Sequence, residues 1–268
     1  MLDFSDKRVI AMIHVGALPG TPRAAAAPAE LIAAAVHEAR LCAEHGVDAL
    51  LIENMHDLPY LRGTVGPEIV AMMAAVTAAV RNAVSLPLGV QVLAAANHEA
   101  LAVALAGGAD FIRAENFCFA HVADEGLMPE AAAGPLLRYR RWIGAEHVQV
   151  MADVRKKHAS HAITADVSLV EAAHAAEWMG ADGIIITGTA TGRAADPAEV
   201  CAAAEATRLP VLVGSGVTAE NLPVFWPHAA GFIVGSSLKH GGAWSAGIDE
   251  RRLGAFMAAA AALRGSTA

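Results

Sequence analysis

Short apolar runs alternate with longer alanine-rich segments along the whole chain. The short runs are rich in β-branched residues and apolar throughout, as expected for parallel strands buried on both faces. The longer segments carry apolar residues at helical spacing. The predicted strands are Val9–Val15, Asp48–Asn54, Leu88–Leu93, Asp110–Asn116, Val148–Val154, Gly183–Gly188, Pro210–Gly216 and Gly231–Ser236. The predicted helices cover residues 28–45, 67–83, 97–106, 129–143, 167–179, 196–207, 218–226 and 248–263.

Strict alternation of eight strands with eight helices predicts an α/β fold, a single (β/α)8 TIM barrel over residues 1–268. A doubly wound open sheet is the alternative, although that fold usually has fewer strands. Connections from helix to strand are short, whereas several connections from strand to helix are long. We expect these long loops to gather on the face where barrel active sites are built.

Polar side chains stand at the carboxyl ends of the predicted strands. Two of these ends repeat a glutamate followed by an asparagine, at Glu53 and at Glu115. Alternation along a strand puts each glutamate on one face with its second neighbour, Leu51 or Arg113. Since charged side chains are unfavourable against the apolar backs of helices, these faces should point into the barrel mouth. The same reasoning predicts a polar ring of His14, Glu53, Gln91, Glu115, Asp153, Thr187 and Ser215.

Three members of this ring are carboxylates. Neighbouring carboxylates repel, so the pKa of one should rise, and one group can donate a proton where another accepts. We predict that Glu53, Glu115 and Asp153 share acid–base catalysis, with His14 and Lys157 assisting. The same three carboxylates would hold a divalent metal if one is bound, and no other cofactor is indicated.

The loop after the fifth predicted strand holds Lys156 and Lys157, two of the four lysines in the chain. A lysine beside a carboxylate can form a Schiff base or move a proton, although the sixth predicted strand lacks the lysine of a Schiff-base aldolase. His158 and His161 alone give weak support for zinc. Arg113 would bind an anion or form a structural ion pair. The predicted substrate-binding residues are Gln91, Arg113, Lys156, His158 and Thr187.

Glycine-rich turns follow the last two predicted strands, in GSGVTAENL and VGSSLKHGG. Glycines let backbone N–H groups converge on a ligand, and barrels commonly hold a phosphate at this place. Thr218 should cap the helix that follows the first turn. The predicted phosphate-binding residues are Gly214, Ser215, Gly216, Gly235, Ser236 and Lys239, with Lys239 as a point charge.

The formal net charge of −8 argues against bulk nucleic-acid binding and still permits a small anionic ligand. No apolar stretch reaches the roughly 20 residues of a spanning helix, and Asp3 and Asp6 oppose a signal peptide. Three widely spaced cysteines favour a reducing compartment. We predict a cytoplasmic protein without membrane insertion, which forms a homo-oligomer through alanine-rich faces such as Ile69–Val80.

Several segments resemble the BtpA/SgcQ family, in the same order and nearly end to end. They are AMIHVGALPGTP from Ala11, GVDALLIEN, LPYL, TGTATG, GSGVTAEN, GSSLKHGG and IDERRL. The resemblance implies a barrel related to the phosphate-binding barrels and an enzyme for sugar or nucleoside compounds. It also implies an alternative, a non-catalytic biogenesis factor for a photosystem I-type membrane complex. Gln91 stands where asparagine is common in the family, and residues 245–247 lack a usual amide, which bears on the substrate.

Together these features predict an enzyme that acts on a small phosphorylated sugar or nucleoside-type substrate by carboxylate acid–base chemistry. Isomerisation or epimerisation, C–C cleavage and hydrolysis of an N-glycosidic bond all remain open.

Overall fold

The computed structural model describes residues 2–265 and shows a closed parallel barrel. The barrel strands are β1 (Arg8–His14), β2 (Ala49–Glu53), β3 (Leu88–Gln91), β4 (Phe111–Ala114), β7 (Gln149–Asp153), β9 (Gly183–Thr187), β10 (Val211–Gly214) and β11 (Gly231–Val234). Three short strands lie outside the barrel: β5 (His121–Ala123), β6 (Gly126–Met128) and β8 (Ala159–Ser160). Since β1 pairs with both β2 and β11, the sheet has no edge, and the doubly wound alternative is wrong. The (β/α)8 prediction is confirmed.

The helices follow the barrel strands around the outside. They are α1 (Pro28–Glu44), α2 (Pro67–Ala83), α3 (Asn97–Gly107), α4 (Ala133–Trp142), α5 (Leu169–Trp178), α6 (Pro197–Ala206), α7 (Leu222–Phe225) and α8 (Glu250–Gly265). Three of them begin with proline, whose fixed φ suits the first helical position and whose missing N–H costs nothing there. The N-terminus of α5 is a capping box between Ser168 and Glu171.

Two apolar layers hold the barrel together. The larger layer lies between the strands and the helices. The smaller one fills the barrel interior, where Phe111 occupies the space beside Gly89. A Cβ at Gly89 would lie 2.2 Å from the Phe111 ring, so this position requires glycine. The interior layer ends below the carboxyl ends of the strands, and polar side chains take its place there.

The predicted helix over 218–226 is shorter in the structure. The Thr218 N–H donates to Asn221 Oδ1, and the Asn221 N–H donates to Thr218 Oγ1, so these two residues close a turn. The helix α7 therefore begins at Leu222, and Thr218 does not cap it.

The helix predicted to take part in oligomerisation packs one apolar face against the barrel strands. On α2, Ile69, Met73, Val76 and Val80 all pack in the layer between helices and strands. Ala71 and Ala75 on the same helix are exposed, and the oligomeric state stays a prediction. Within residues 2–265, no helix combines the length and the hydropathy that crossing a bilayer requires. The cytoplasmic location also remains a prediction.

A three-stranded sheet connects two loops above the barrel. The strand β5 pairs antiparallel with β6 and with β8, so the loop after β4 is joined to the loop after β7. The apolar residues of this cap, Ala123, Met128 and Ala159, pack with Met55 and Leu93 at the barrel mouth. The loops that bear the site are thereby held by backbone pairing as well as by side-chain packing.

Candidate active site

Three of the predicted ring residues lie side by side at one level of the barrel. In the strand register, His14 pairs with Glu53, and Glu53 pairs with Gln91. All three are the last residues of their strands and point inward, because Met12 and Leu51 two residues earlier belong to the interior layer. Gln91 is buried, and its Oε1 has no hydrogen-bond partner within residues 2–265.

Arg113 and Asp153 form a buried bidentate ion pair. The Arg113 Nε donates to Asp153 Oδ2 at 3.1 Å, and its Nη2 donates to Oδ1 at 3.1 Å. Both side chains are almost fully buried, at 3% and 4% exposure. Asp153 therefore neutralises a buried guanidinium, which differs from the predicted role as a free catalytic carboxylate. Of the two alternatives for Arg113, the structure shows the ion pair.

Two neighbours contact the same oxygen of Glu115. The Ala95 N–H donates to Glu115 Oε2 at 3.0 Å, and the Lys156 Nζ lies 3.6 Å from the same oxygen. Lys156 also donates to Glu125 Oε2 at 2.8 Å. Burial raises the pKa of Glu115, and the charge on Lys156 opposes that rise. The Lys156 amine, predicted to bind substrate, is thus already shared between two carboxylates of the chain.

Glu53 faces a neutral imidazole. The Nδ1 of His14 lies 2.8 Å from the Trp244 carbonyl oxygen, which can only accept, so Nδ1 carries the proton and donates it. In the neutral ring, Nε2 then carries no proton and has a free lone pair. Burial, and next the charge on Lys239, lower the pKa of His14 to about 3. The 3.6 Å contact between His14 Nε2 and Glu53 Oε2 is therefore not an ion pair near neutral pH. Burial also raises the pKa of Glu53, which favours its neutral form.

Buried His14 makes the fold sensitive to acid. Because its folded pKa is about 3 against 6.5 for a free side chain, its contribution to stability is complete above pH 6.5 and is lost as the pH falls toward 3. At pH 5 we expect a loss of about 2 kcal/mol in the free energy of unfolding from this residue. Urea unfolding at pH 7.5 and 5.0 measures it, and His14→Gln should reduce the loss. The exposed control His147→Gln should behave as the wild type does, and an equal loss in His14→Gln would contradict the prediction.

Two adjoining cavities open at the barrel mouth. The first encloses about 220 Å³ between His14, Arg113 and the turns after β10 and β11. The second encloses about 340 Å³ and is mainly apolar on one side, where Leu58, Tyr60 and Trp244 lie. Four residues, Glu53 among them, border both cavities. The two adjoining cavities together are called the cleft below. The shared residues are Glu53, Met55, Lys157 and Thr191.

The turns after β10 and β11 form a cradle of backbone N–H groups. Gly216 has φ +65°, and a Cβ there would lie 2.2 Å from the Ala194 backbone nitrogen, so this turn requires glycine. Within residues 2–265, the N–H groups of Gly216, Ser236 and Ser237 donate to no protein acceptor. Gly235 leaves the space between this cradle and His14 open. Free N–H groups pointing into a concave site suit an anion.

Arg252 adds a cation to the cradle that the sequence prediction missed. Its guanidinium borders the first cavity and donates from Nη1 to the Ser237 carbonyl oxygen at 3.3 Å. It comes from the first turn of α8, directly beyond the last loop of the barrel. The only local signal is its place in the segment IDERRL, where two arginines follow one another at positions 251 and 252.

Several predicted residues lie elsewhere or already have protein partners. Lys239 is buried and pairs with Glu38 at 3.4 Å, so it does not face the cradle. The Thr187 hydroxyl donates to the Arg155 carbonyl oxygen at 3.3 Å, away from the two cavities of the cleft. His158 stands at the rim of the second cavity, where its Nε2 accepts from the Thr191 N–H at 3.0 Å. These protein partners occupy the three side chains, and the prediction that they bind a ligand stays a prediction.

Ser215 borders the cradle but does not belong to the inward ring. The inward residue on β10 is Leu212, so alternation puts Gly214 inward, and the strand ends there. Ser215 then adopts φ +75° and donates from Oγ to the Ala190 carbonyl oxygen at 3.1 Å. Its side chain fixes the turn, while its backbone remains part of the cavity wall.

The three ring carboxylates do not form a metal ligand set. Asp153 is engaged by Arg113, and Glu115 is engaged by Lys156 and a backbone N–H. In the described part of the chain, no group of three or more histidine, cysteine, aspartate or glutamate side chains is arranged to hold a metal ion. The open alternative of a metal held by Glu53, Glu115 and Asp153 is not supported by this arrangement.

Fold and site together define a (β/α)8 barrel protein with a cradle of free backbone N–H groups and a cleft lined by carboxylate and lysine side chains at the carboxyl ends of its strands. The model of the BtpA family matches residues 5–262, and the chain belongs to that family.

Known proteins show the same membership. An uncharacterized mitochondrial protein of Caenorhabditis elegans is 44% identical over 262 residues, covering 96% of this chain and 94% of that protein. The photosystem I biogenesis protein BtpA of Synechocystis is 36% identical, covering 94% and 88%. Among solved structures, phosphoribosyl anthranilate isomerase from Thermus thermophilus matches with a TM-score of 0.59 at 17% identity, covering 96% of this chain and 100% of that chain. At this identity the likeness shows the fold alone.

Proposed function

We propose that this protein is an enzyme acting on a small phosphorylated sugar or nucleoside-type substrate. The observation that supports the proposal is the single cleft that runs from a cradle of free N–H groups to Glu53 and Lys157. The cradle suits a phosphate, and the cleft between Glu53 and the apolar wall suits the rest of the substrate. Glu53 and Lys157 border both cavities and therefore lie between the cradle and the apolar wall.

Within this cleft, Glu53 acts as the general acid. Burial raises its pKa beside the His14 lone pair, which favours the proton-donating form, and after donating its proton it can serve as the base. Glu115 and the Arg113–Asp153 pair position the cleft wall and set its charge. Gln91, the register partner of Glu53, is buried with an unpaired side-chain oxygen and borders neither cavity of the cleft. Some phosphate-acting neighbours share the fold, such as the phosphoribosyl anthranilate isomerase, and this agrees with the proposal.

An assembly role in a membrane complex is the alternative, and it rests on the name of the Synechocystis relative. The more similar of the two relatives, from Caenorhabditis elegans, carries a name that does not refer to a photosystem. A shared cleft with an acid and an anion cradle also has no evident use in a purely structural role. We therefore rank the enzyme ahead of the assembly factor.

Thermal-shift screening of the full chain tests the proposal directly. Inorganic phosphate, ribose 5-phosphate and 5′-nucleotides should raise the melting temperature with the logarithm of their concentration. The unphosphorylated sugars and nucleosides serve as controls and should give smaller shifts. Positive compounds then enter an assay of turnover. A screen in which no phosphorylated compound stabilises the protein more than its unphosphorylated counterpart would count against the proposal.

Arg252 provides a sharper test of the cradle. Replacing Arg252 by methionine removes a cation at the cavity wall, and hydrogen bonds to charged groups contribute about 1.5–3 kcal/mol. We expect the affinity for inorganic phosphate to fall about tenfold or more. Arg251→Met removes the same charge from the neighbouring position, which does not border the cavity, and should bind as the wild type does. Calorimetric titration measures both, and equal losses in the two variants would refute a local contact.

A further inference from the structure

Within the described residues, one lysine amine has no protein partner. Among the four lysines, Lys7 donates to the Ala229 carbonyl oxygen at 2.7 Å, Lys156 to Glu125 at 2.8 Å and Lys239 to Glu38 at 3.4 Å. Within residues 2–265, the Nζ of Lys157 makes neither a hydrogen bond nor an ion pair. A partly buried amine without a partner is costly unless a ligand supplies one, so its position needs a functional explanation.

Lys157 stands where the carbon skeleton of an anchored substrate would pass. It borders both cavities of the cleft, as Glu53 does, and the phosphate cradle lies across the first cavity. The same cavity wall brings Arg113 near the amine. Burial, and next the charge on Arg113, lower the pKa of Lys157, which favours the neutral, nucleophilic amine.

We infer that Lys157 forms a Schiff base with a phosphorylated open-chain aldehyde or ketone held in the cleft. The inference rests on the proposed function and narrows its substrate class from sugar phosphates in general to those with a free carbonyl. It assigns to the loop after β7 the nucleophile that the strand β9, which has no lysine, does not supply. The partner in proton transfer is Glu53, the carboxyl group that shares both cavities with Lys157.

Lys157 and Glu53 together can carry out every proton transfer that Schiff-base formation requires. The Nζ lone pair forms a bond to the carbonyl carbon, and the carbonyl electron pair moves to oxygen, which takes the proton of Glu53. The resulting Glu53 carboxylate removes a proton from the nitrogen and returns it to the hydroxyl, which leaves as water. The products are an iminium on Lys157, one water and an ionised Glu53. This carboxylate can then take a proton from the carbon next to the iminium, as isomerisation requires.

Reductive trapping of the full-length protein tests the inference. Dihydroxyacetone phosphate and glyceraldehyde 3-phosphate are each incubated with the protein and sodium cyanoborohydride, which reduces an iminium to a stable secondary amine. We expect one adduct per chain by intact mass, located on Lys157 by peptide mapping. The neighbouring Lys156 is an internal control, since its amine is held by two carboxylates. Excess inorganic phosphate should slow the labelling, and unphosphorylated glyceraldehyde should label more slowly.

The Lys157→Arg variant keeps the positive charge and cannot form a Schiff base, so it should lose the adduct entirely. Peptide mapping of the wild-type protein locates the adduct without any variant. It therefore tests the inference even if Lys157→Arg folds poorly. Stabilisation of the protein by the two probes without an adduct on Lys157 would overturn this inference and leave the proposed function standing. If the two probes gave neither stabilisation nor an adduct, this inference would be overturned, and the proposed function would fall with it if no other phosphorylated compound of the screen stabilised the protein. Equal labelling of all four lysines would also overturn the inference.

Discussion

Replacing Asp153 by asparagine is expected to lower the free energy of unfolding by about 3–5 kcal/mol. Asparagine keeps the shape of the side chain but leaves the Arg113 guanidinium buried without its bidentate partner. Removing one member of a buried ion pair costs far more than the pair itself contributes, because an uncompensated charge remains in a low-dielectric interior. Urea unfolding followed by circular dichroism measures the change, provided that the slope with denaturant stays constant.

Two further variants separate this effect from a general sensitivity to charge. Glu146→Gln removes a carboxylate that pairs with Arg141 on the surface, and the unfolding midpoint should not change measurably. A double variant, Arg113→Met with Asp153→Leu, removes both charges and should recover most of the stability. A loss below about 1 kcal/mol in Asp153→Asn, or no recovery in the double variant, would return Asp153 to the catalytic candidates.

The position of Glu53 could be predicted from the sequence because the strand pattern is long and regular. Eight apolar runs separated by helical segments define a barrel, and alternation along one strand then sets which side chains point inward. For Glu53 and Glu115, the second step uses only residues within a few positions of the glutamate. The alternation along a strand does not predict which groups contact the two glutamates. The Ala95 N–H that binds Glu115, and the His14 ring beside Glu53, come from other units of the barrel.

The alternation of inward and outward side chains gave a wrong prediction where glycines occupy the end of a strand. In the segment GSG at positions 214–216, two of three residues have no side chain, and nothing in the pattern shows that Gly214 is the inward residue. Ser215 therefore looked like a ring member, although the chain leaves the strand before it. Lys239 failed for a different reason. Its partner Glu38 lies 201 residues earlier on α1, a contact that the glycines around Lys239 do not signal.

The cap above the barrel could not be predicted at all. Its strands contain two or three residues each, too few for a periodic pattern, and they belong to two loops that read as polar connections. Their pairing is a tertiary contact, since β5 and β8 are separated by a helix and a barrel strand. The second cavity depends on this cap, because Asp124 and Glu125 in its turn border the cleft. The shape of the candidate site is thus less predictable than its chemistry.

Replacing Glu53 by glutamine is expected to reduce turnover by about 10²–10⁴-fold while phosphate binding is retained. Glutamine fills the same volume at the end of β2, but it can neither donate nor accept the proton that the reaction requires. The cradle lies across the first cavity and uses backbone groups of other strands, so the affinity for inorganic phosphate should change less than threefold. Turnover of the substrates found by screening and calorimetric titration with phosphate measure the two effects separately.

Glu115→Gln is the matched control, since Glu115 occupies the equivalent place two barrel strands away and is already held by Ala95 and Lys156. Its loss should act on the cleft wall through Lys156, and we expect a smaller decrease in kcat with a larger increase in KM. If Glu53→Gln instead raised KM and left kcat unchanged, Glu53 would be a binding residue, and the proton donor would have to be sought elsewhere. Equal losses of kcat in the two variants would instead point to a pair of carboxylates that exchange a proton as one unit, as adjacent acids with coupled titrations do.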